Sequence, residues 1–359
     1  MKLSDVCTKG TSNIAQKDLD ARNGTYPIYG ASGFIKNVDF YHQEKPYIAI
    51  VKDGAGVGRV MQLPAKSSVI GTMQYIIPNE DFSVEYLAYA LEHMNLSKYY
   101  LGAAIPHIYF NDYCSETLPN HTPEEQAHIS HVLGLVSNLI FLRKQQLSKL
   151  DEIVRSRFIE MFGDCWHSGS KVFLEEISEF VTVGIANSAT HAYADSGIVM
   201  LRNQNIKENY LDENDLIYIT PDFAKKYGSK QLAENDILVI RTGYPGVACL
   251  VPKKYTGCQT FTTLIVRLKD ATLAHAIYVC HYINSSFGKD YVEQSKVGVA
   301  QQNFGAKALA KMPIVVPSKE LQEQFAAFVE QTDKSKFEIQ KSLEKLETLK
   351  KALLQKYFG

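Results

Sequence analysis

The chain has 359 residues, 45% hydrophobic and 21% charged, with 38 Lys and Arg against 39 Asp and Glu for a formal net charge of −1. That length exceeds one ordinary domain, and the balance is globular rather than disordered or fibrous. No apolar run reaches the ~18 residues of a membrane span, the start MKLSDVCTKG carries no apolar leader, and the six cysteines are scattered without a C-x-x-C pair. The expected setting is therefore the reducing cytoplasm, with neither a zinc site nor a disulfide framework. A near-neutral total also means that any nucleic-acid surface must be a local basic face.

In chain order, YPIYGASGFI (26–35), PYIAIV (46–51), RVMQL (59–63) and VIGTMQYIIP (69–78) are short β-branched and aromatic runs between turn residues, the signature of strands. The glycines between the second and third, Gly54, Gly56 and Gly58, raise the question of a phosphate loop. Their every-second-residue spacing, Arg59 in the place of a third fingerprint glycine, and the lack of a Lys-Ser/Thr pair favour a Gly-rich hairpin instead. SVEYLAYALEH (83–93) reads as a helix. Thr122-Pro123-Glu124-Glu125 is a capping box with proline in the first turn, opening a long helix that closes at Phe162-Gly163. His121, His128 and His131 surround this start, but the polar face of a capped helix accounts for them, and no metal site is assigned. The second half runs through GIVMLRNQNI (197–206), LIYIT (216–220), DILVIR (236–241), VACLVP (247–252) and TLIVRL (263–268) as strands, then LAHAIYVCHYINS (273–285) as helix. Pro317-Ser318-Lys319-Glu320 starts a second long helix ending at Phe358-Gly359.

The chain is written twice. Residues 124–163 align without a gap on 320–359, pairing Glu124/Glu320, Gln126/Gln322, Phe141/Phe337, Leu147/Leu343, Lys149/Lys345 and Leu150/Leu346. DILVIRTGYPGVACLVP (236–252) repeats the layout of PYIAIVKDGAGVGRVMQLP (46–64), and GVA (298–300) matches GAA (102–104). Both long helices carry a seam stepping by four and three, from Ile129 to Met161 and from Phe325 to Tyr357. Cations interrupt it at different places, Arg143 and Arg157 in one copy, Lys336 and Lys350 in the other. The seam is too narrow for a full globular face, so Ile140, Leu147, Leu150 and Val154 are expected to pair with Ile339, Leu343, Leu346 and Leu353. The competing reading is two core helices, each on its own module. The expected fold is α+β: two β-rich mixed domains separated by two long antiparallel coiled-coil helices, with an internal pseudo-twofold.

This arrangement of variable module, LPNHTPEEQ-type helix start, heptad helix ending in FG, and the same again from VVPSKELQEQ to KYFG, resembles the specificity subunit of type I restriction–modification systems. The phrases IVMLRNQNI…DLIYIT, LAENDILVIRTGYPG and TYPIYGASGFI add to it, and the likeness covers essentially the whole chain. Residues 1–117 and 164–316 would then be target-recognition domains, with 118–163 and 317–359 as helical spacers. The resemblance implies a non-catalytic subunit whose two domains each read half of a bipartite site in double-stranded DNA. Its helices would set the spacing and dock two methyltransferase subunits, which in turn carry nuclease and translocase subunits. The assembled activities would be adenine-N6 methylation and site-specific DNA cleavage, with S-adenosylmethionine and ATP on the partners and no cofactor on this chain. In agreement, the sequence has no Asn/Asp-Pro-Pro-Tyr/Phe motif, Walker loop or nuclease core. The alternatives are a self-contained DNA methyltransferase or nuclease, and a coiled-coil scaffold that does not bind DNA.

Base edges are read by Arg or Lys for guanine, Asn or Gln for adenine, and hydroxyl or apolar groups for thymine, while cations and free amides anchor phosphates. In the second domain the run Arg202, Asn203, Gln204 and Asn205 collects these types. Arg241 and Tyr244 sit on the Gly hairpin, Gln259, Thr260 and Thr262 lie in CQTFTT, and Gln301 and Gln302 precede the spacer helix. The corresponding candidates in the first domain are Lys36, Lys52, Arg59, Lys66, Gln74, Tyr75 and His107.

Overall fold

The computed structural model describes residues 1–100, 106–186, 190–269, 274–296 and 303–359. Two compact units form, one of residues 1–146 with 339–359 and one of 147–338. The division does not follow the helix boundaries. The first long helix, Pro123–Ser168, and the second, Lys319–Phe358, each begin in one unit and end in the other.

In the first unit an antiparallel sheet runs in the order Cys7–Thr11, Met73–Pro78, Tyr47–Val51, Val60–Leu63. All five residues of Tyr47–Val51 are buried, because this inner strand is covered on both faces. Ile48 and Ile50 join a core with the Val84–His93 helix and with Ile129 and Leu133 of the first long helix. Tyr47, Ala49 and Val51 point the other way, onto Val69, Met73 and Tyr75, as the two-residue strand period requires. A second sheet pairs Tyr26–Gly30 with Gly33–Val38 and, in parallel, with Ser68–Val69. The helix ends close the unit. Leu354 and Phe358 lie in the same core as Ile129 and Leu133, and Lys144 meets Glu347 at 2.9 Å. One helix ascends while the other descends, so the pairing is antiparallel.

The second unit repeats this topology. Its sheet order is Ser178–Val183, Leu264–Leu268, Ile237–Val239, Ala248–Leu250. Ile198–Leu201, flanked by Ile217–Ile219 and in parallel by Gln259–Thr260, matches the second sheet of the first unit. Alternation recurs: Ile237, Val239, Leu264 and Val266 face a core with the helix Ala276–Asn284, while Leu238 and Ile265 face a separate cluster. The Asn284 amide closes the Ala248 edge, accepting from its N–H at 2.9 Å and donating to its carbonyl at 2.8 Å. Asp236, 1% exposed, takes a bidentate pair of bonds from Arg267 at 2.8 and 2.7 Å, which satisfies a buried carboxylate at the foot of the Gly hairpin. Here too the helices run antiparallel. Lys336 meets Asp151 at 2.7 Å, and Phe325 lies edge-on to Phe158 and Phe162 at 5.4 and 5.5 Å.

Both expected roles of the long helices are therefore real, in different stretches. The capping box forms as read, with Thr122 N–H donating to Glu125 at 2.8 Å and Glu125 N–H donating back to the Thr122 hydroxyl at 3.3 Å. Of the seam residues, Val154 and Leu343 are buried, and Ile140, Leu147, Leu150, Ile339, Leu346 and Leu353 are half-buried. Val154 belongs to the core of the second unit, and Leu353 packs against that of the first. Three of the seam cations meet acids, Arg157 with Glu160, Lys336 with Asp151 and Lys350 with Glu92, and Arg143 donates to Gln146 at 2.7 Å. Three strand readings are corrected: YPIYGASGFI turns after Gly30 into a second strand paired with the first, and VIGTMQYIIP breaks between Val69 and Met73 into strands of two different sheets. In GIVMLRNQNI the strand stops at Leu201, and Asn203–Asn205 is a single 3-10 turn, since Asn205 Oδ1 accepts from the Arg202 N–H at 3.0 Å.

His281 gives the second unit a pH dependence. It is 8% exposed, stacked on Phe158 and edge-on to Phe325. Burial first, and then the nearby Lys336 charge, lowers its pKa from 6.5 to about 3. The folded ring stays neutral while the unfolded chain gains a proton, so its stabilising contribution is full above pH 6.5 and falls as pH drops toward 3. By pH 5 the loss is on the order of 2 kcal/mol. His275, whose pKa burial also lowers, adds to the total slope, so His281→Gln isolates the effect. Denaturation between pH 7 and 5, followed through Trp166, should show a shallower decline in the variant. An identical decline would remove His281 as the cause.

Candidate nucleic-acid interface

Each unit presents one Gly turn built on the same backbone scheme. In the first, Gly58 N–H donates to Val51 at 2.8 Å and Ile108 N–H to the Lys52 carbonyl at 3.0 Å. In the second, Gly246 N–H donates to Ile240 at 2.9 Å and Phe304 N–H to the Arg241 carbonyl at 2.9 Å. Lys52 and Arg241 thus occupy equivalent places, a cation leading into a turn that is clamped to the segment before a helix. Glycine is required where the turn closes. Gly58 and Gly246 have φ of 85° and 93°, and a Cβ would strike Ser97 N at 2.5 Å in one and Val292 at 2.8 Å in the other.

Around the first turn the fold gathers Lys52, Arg59 and His107. Arg59 donates to the Ala31 carbonyl at 2.8 Å, tying the turn to that between Gly30 and Gly33. His107 Nδ1 bonds Asp53, and its Nε2 is buried with no protein partner among the described residues. Lys36 and Lys66 engage elsewhere, Lys36 donating to the Leu19 carbonyl at 3.0 Å and Lys66 lying 3.9 Å from Glu44.

Around the second turn come Arg202, Asn203, Gln204, Arg241 and Tyr244. Asn203 Nδ2 donates to the Thr242 carbonyl at 3.3 Å, and Arg241 Nε to Asn303 Oδ1 at 2.9 Å. Tyr244 projects from the tip, 82% exposed. Thr262 stands apart, half-buried at a left-handed φ of 59°. Gln301 and Gln302 lie outside the described residues, as does the GAA/GVA correspondence.

Five candidates are corrected. Gln74, Tyr75, Asn205, Gln259 and Thr260 are buried and spend their polar atoms inside the protein. Gln74 donates to the Tyr113 hydroxyl, and the Tyr75 hydroxyl accepts from Val69 N–H at 3.1 Å. Asn205 donates to the Asp212 and Asn214 carbonyls at 3.1 and 3.0 Å, Gln259 to those of Ala224 and Tyr227, both at 2.9 Å, and Thr260 to that of Leu201 at 3.1 Å. Turning them outward would break these internal bonds. Conversely, Asp53, Asp215 and Asn303 are interface neighbours that residue-type reasoning passed over. Acids do not announce a DNA face, and only the adjoining Gln301-Gln302 pointed toward Asn303.

A family model, the type I restriction modification DNA specificity domain, matches residues 1–152 and again 170–351. The chain belongs to that family. It is a DNA-specificity subunit of a type I restriction–modification system and, as such, non-catalytic. No curated protein sequence matches it. The S subunit of a type I restriction–modification system from M. genitalium is 15% identical with a TM-score of 0.57, the match covering 100% of this chain and 95% of that one. A structure bearing on complex assembly and conformational transition of the type I R-M system is 14% identical with a TM-score of 0.53, over 99% and 96% of the two chains. At such identities the likeness is one of fold, and it extends over nearly the full length of both matched chains. Among the described residues no group of three His, Cys, Asp or Glu is placed to hold a metal, and no helix is long and apolar enough to cross a membrane.

Proposed function

We propose that each unit of this specificity subunit reads one block of a bipartite site in double-stranded DNA through the surface around its Gly turn. The observation that carries this is the repeated scheme: an identical clamp holds Lys52 in one unit and Arg241 in the other, while the side chains around the two clamps differ. A shared frame with different polar groups is what two independent readers need, because base edges are distinguished by donor and acceptor pattern. The long helices set the spacing of the blocks and dock two methyltransferase subunits, through which nuclease and translocase subunits attach. Phe141 and Phe337 support two equivalent docking places, since they align between the helix copies and are 56% and 66% exposed. Adenine-N6 methylation and DNA cleavage then belong to the cytoplasmic assembly, with S-adenosylmethionine and ATP on the partners. Mapping methylated adenines genome-wide with and without this chain tests the reading. The chain-dependent sites should form two short defined blocks around an unspecified spacer. A single continuous motif would overturn it.

A further inference from the structure

An acid, Asp215, sits among the polar groups around the second Gly turn. Arg202 Nη2 donates to Asp215 twice, to its carbonyl at 2.5 Å and to Oδ2 at 3.2 Å, and Gln204 Nε2 donates to the same Oδ2 at 2.7 Å. Arg202 Nε, on the same edge of the guanidinium as Nη2, is buried with no protein partner among the described residues. The fork that would grip guanine O6 and N7 is thus half on Asp215 and half unused, and the amide donor that Gln204 would give to adenine N7 is likewise on Asp215. The Asn203 bonds to Thr242 hold this run against the Gly turn, so the arrangement belongs to the face described above. The Asp215 side chain is 77% exposed and that of Arg202 25%, which places the carboxylate toward solvent over the cation.

We propose that Asp215 is a specificity determinant of the second unit, whose carboxylate keeps Arg202 and Gln204 off the DNA backbone so that base edges take their donors. Resting on the reading above, this explains how a half-buried arginine on this face avoids indiscriminate phosphate binding. A phosphate approaching Arg202 meets a like charge first, whereas O6 and N7 of a base are neutral acceptors and suffer no such repulsion. Asp215 also occupies a left-handed φ of 55°. Asparagine tolerates that conformation, so Asp215→Asn removes the charge and keeps the turn.

The test is equilibrium binding by the specificity subunit assembled with its methyltransferase subunits. The duplexes carry the mapped motif, single-base changes in either block, or unrelated sequence. Asp215→Asn should raise affinity for unrelated DNA roughly tenfold at low salt and steepen the log–log salt dependence by about one. Discrimination within the block read by the second unit should fall roughly tenfold, and the other block should keep its discrimination. Adding Arg202→Gln should return unrelated binding and the salt slope to the starting values, which a purely structural acid would not produce. The proposal is overturned if Asp215→Asn changes nothing, if it weakens every duplex by one common factor, or if Arg202→Gln reverses nothing. A starting protein that is itself indifferent to one block would defeat the half-site reading instead, a distinguishable result.

Discussion

Matched insertions in the two long helices should lengthen the spacer of the methylated motif while leaving both sequence blocks intact. The insertion points are after Gln146 and after Glu338, where each helix passes from one compact unit to the other, so every contact within a unit is kept. Four residues in each helix add about 6 Å of rise and turn the seam by about 40°, and seven add about 10 Å while nearly restoring its phase. At ~3.4 Å per base step, the spacer should grow by one or two base pairs in the first case and about three in the second. An insertion in one helix alone puts Lys144 out of step with Glu347 or Asp151 out of step with Lys336, and methylation should be lost instead. Sequencing the methylated sites decides it. A spacer indifferent to the matched insertions would mean that the helices hold the units without measuring anything.

Phe325→Ala should strongly destabilise the second unit. The ring is fully buried among Phe158, Phe162 and His281, so its removal both withdraws aromatic surface from the core and leaves a cavity, at about 3–5 kcal/mol. For a unit of this size that corresponds to roughly 10 °C in melting temperature. Trp166, the single tryptophan, stacks on Phe287 in the same core and reports the transition. Phe337→Ala, on the same helix but largely exposed, should cost under about 0.5 kcal/mol. Equal losses from the two substitutions would mean that the start of the second long helix is not part of the core.

The two substitutions also separate what was legible in sequence from what was not. Phe325 and Phe337 are the same residue type on one helix, and the seam period alone placed the first inside and the second outside. The seam was readable because helical periodicity is local. Every seam position from Ile129 to Met161 and from Phe325 to Tyr357 is buried or half-buried, as the steps of four and three require. The interface candidates had no such period. Gln204 and Gln259 are both polar amides, yet one lies at the surface on Asp215 and the other in the interior on Ala224 and Tyr227. Their difference is set by backbone carbonyls more than thirty residues away along the chain.

By itself the sequence determined the duplication, the capped starts of the long helices, the heptad seam, the two Gly turns and the family resemblance, all carried by neighbouring residues or by comparing the chain with itself. Only the tertiary structure decided that each helix is shared, its first half packing in one unit and its second half in the other. It alone decided that five of the polar candidates are buried in the scaffold, and that Asp53 and Asp215 stand beside the cations of the two Gly turns. The physical reason is common to all three. A buried polar group or a helix face is settled by whichever distant segment satisfies its hydrogen bonds or covers its apolar stripe, and a one-dimensional pattern records the need for that partner without naming it.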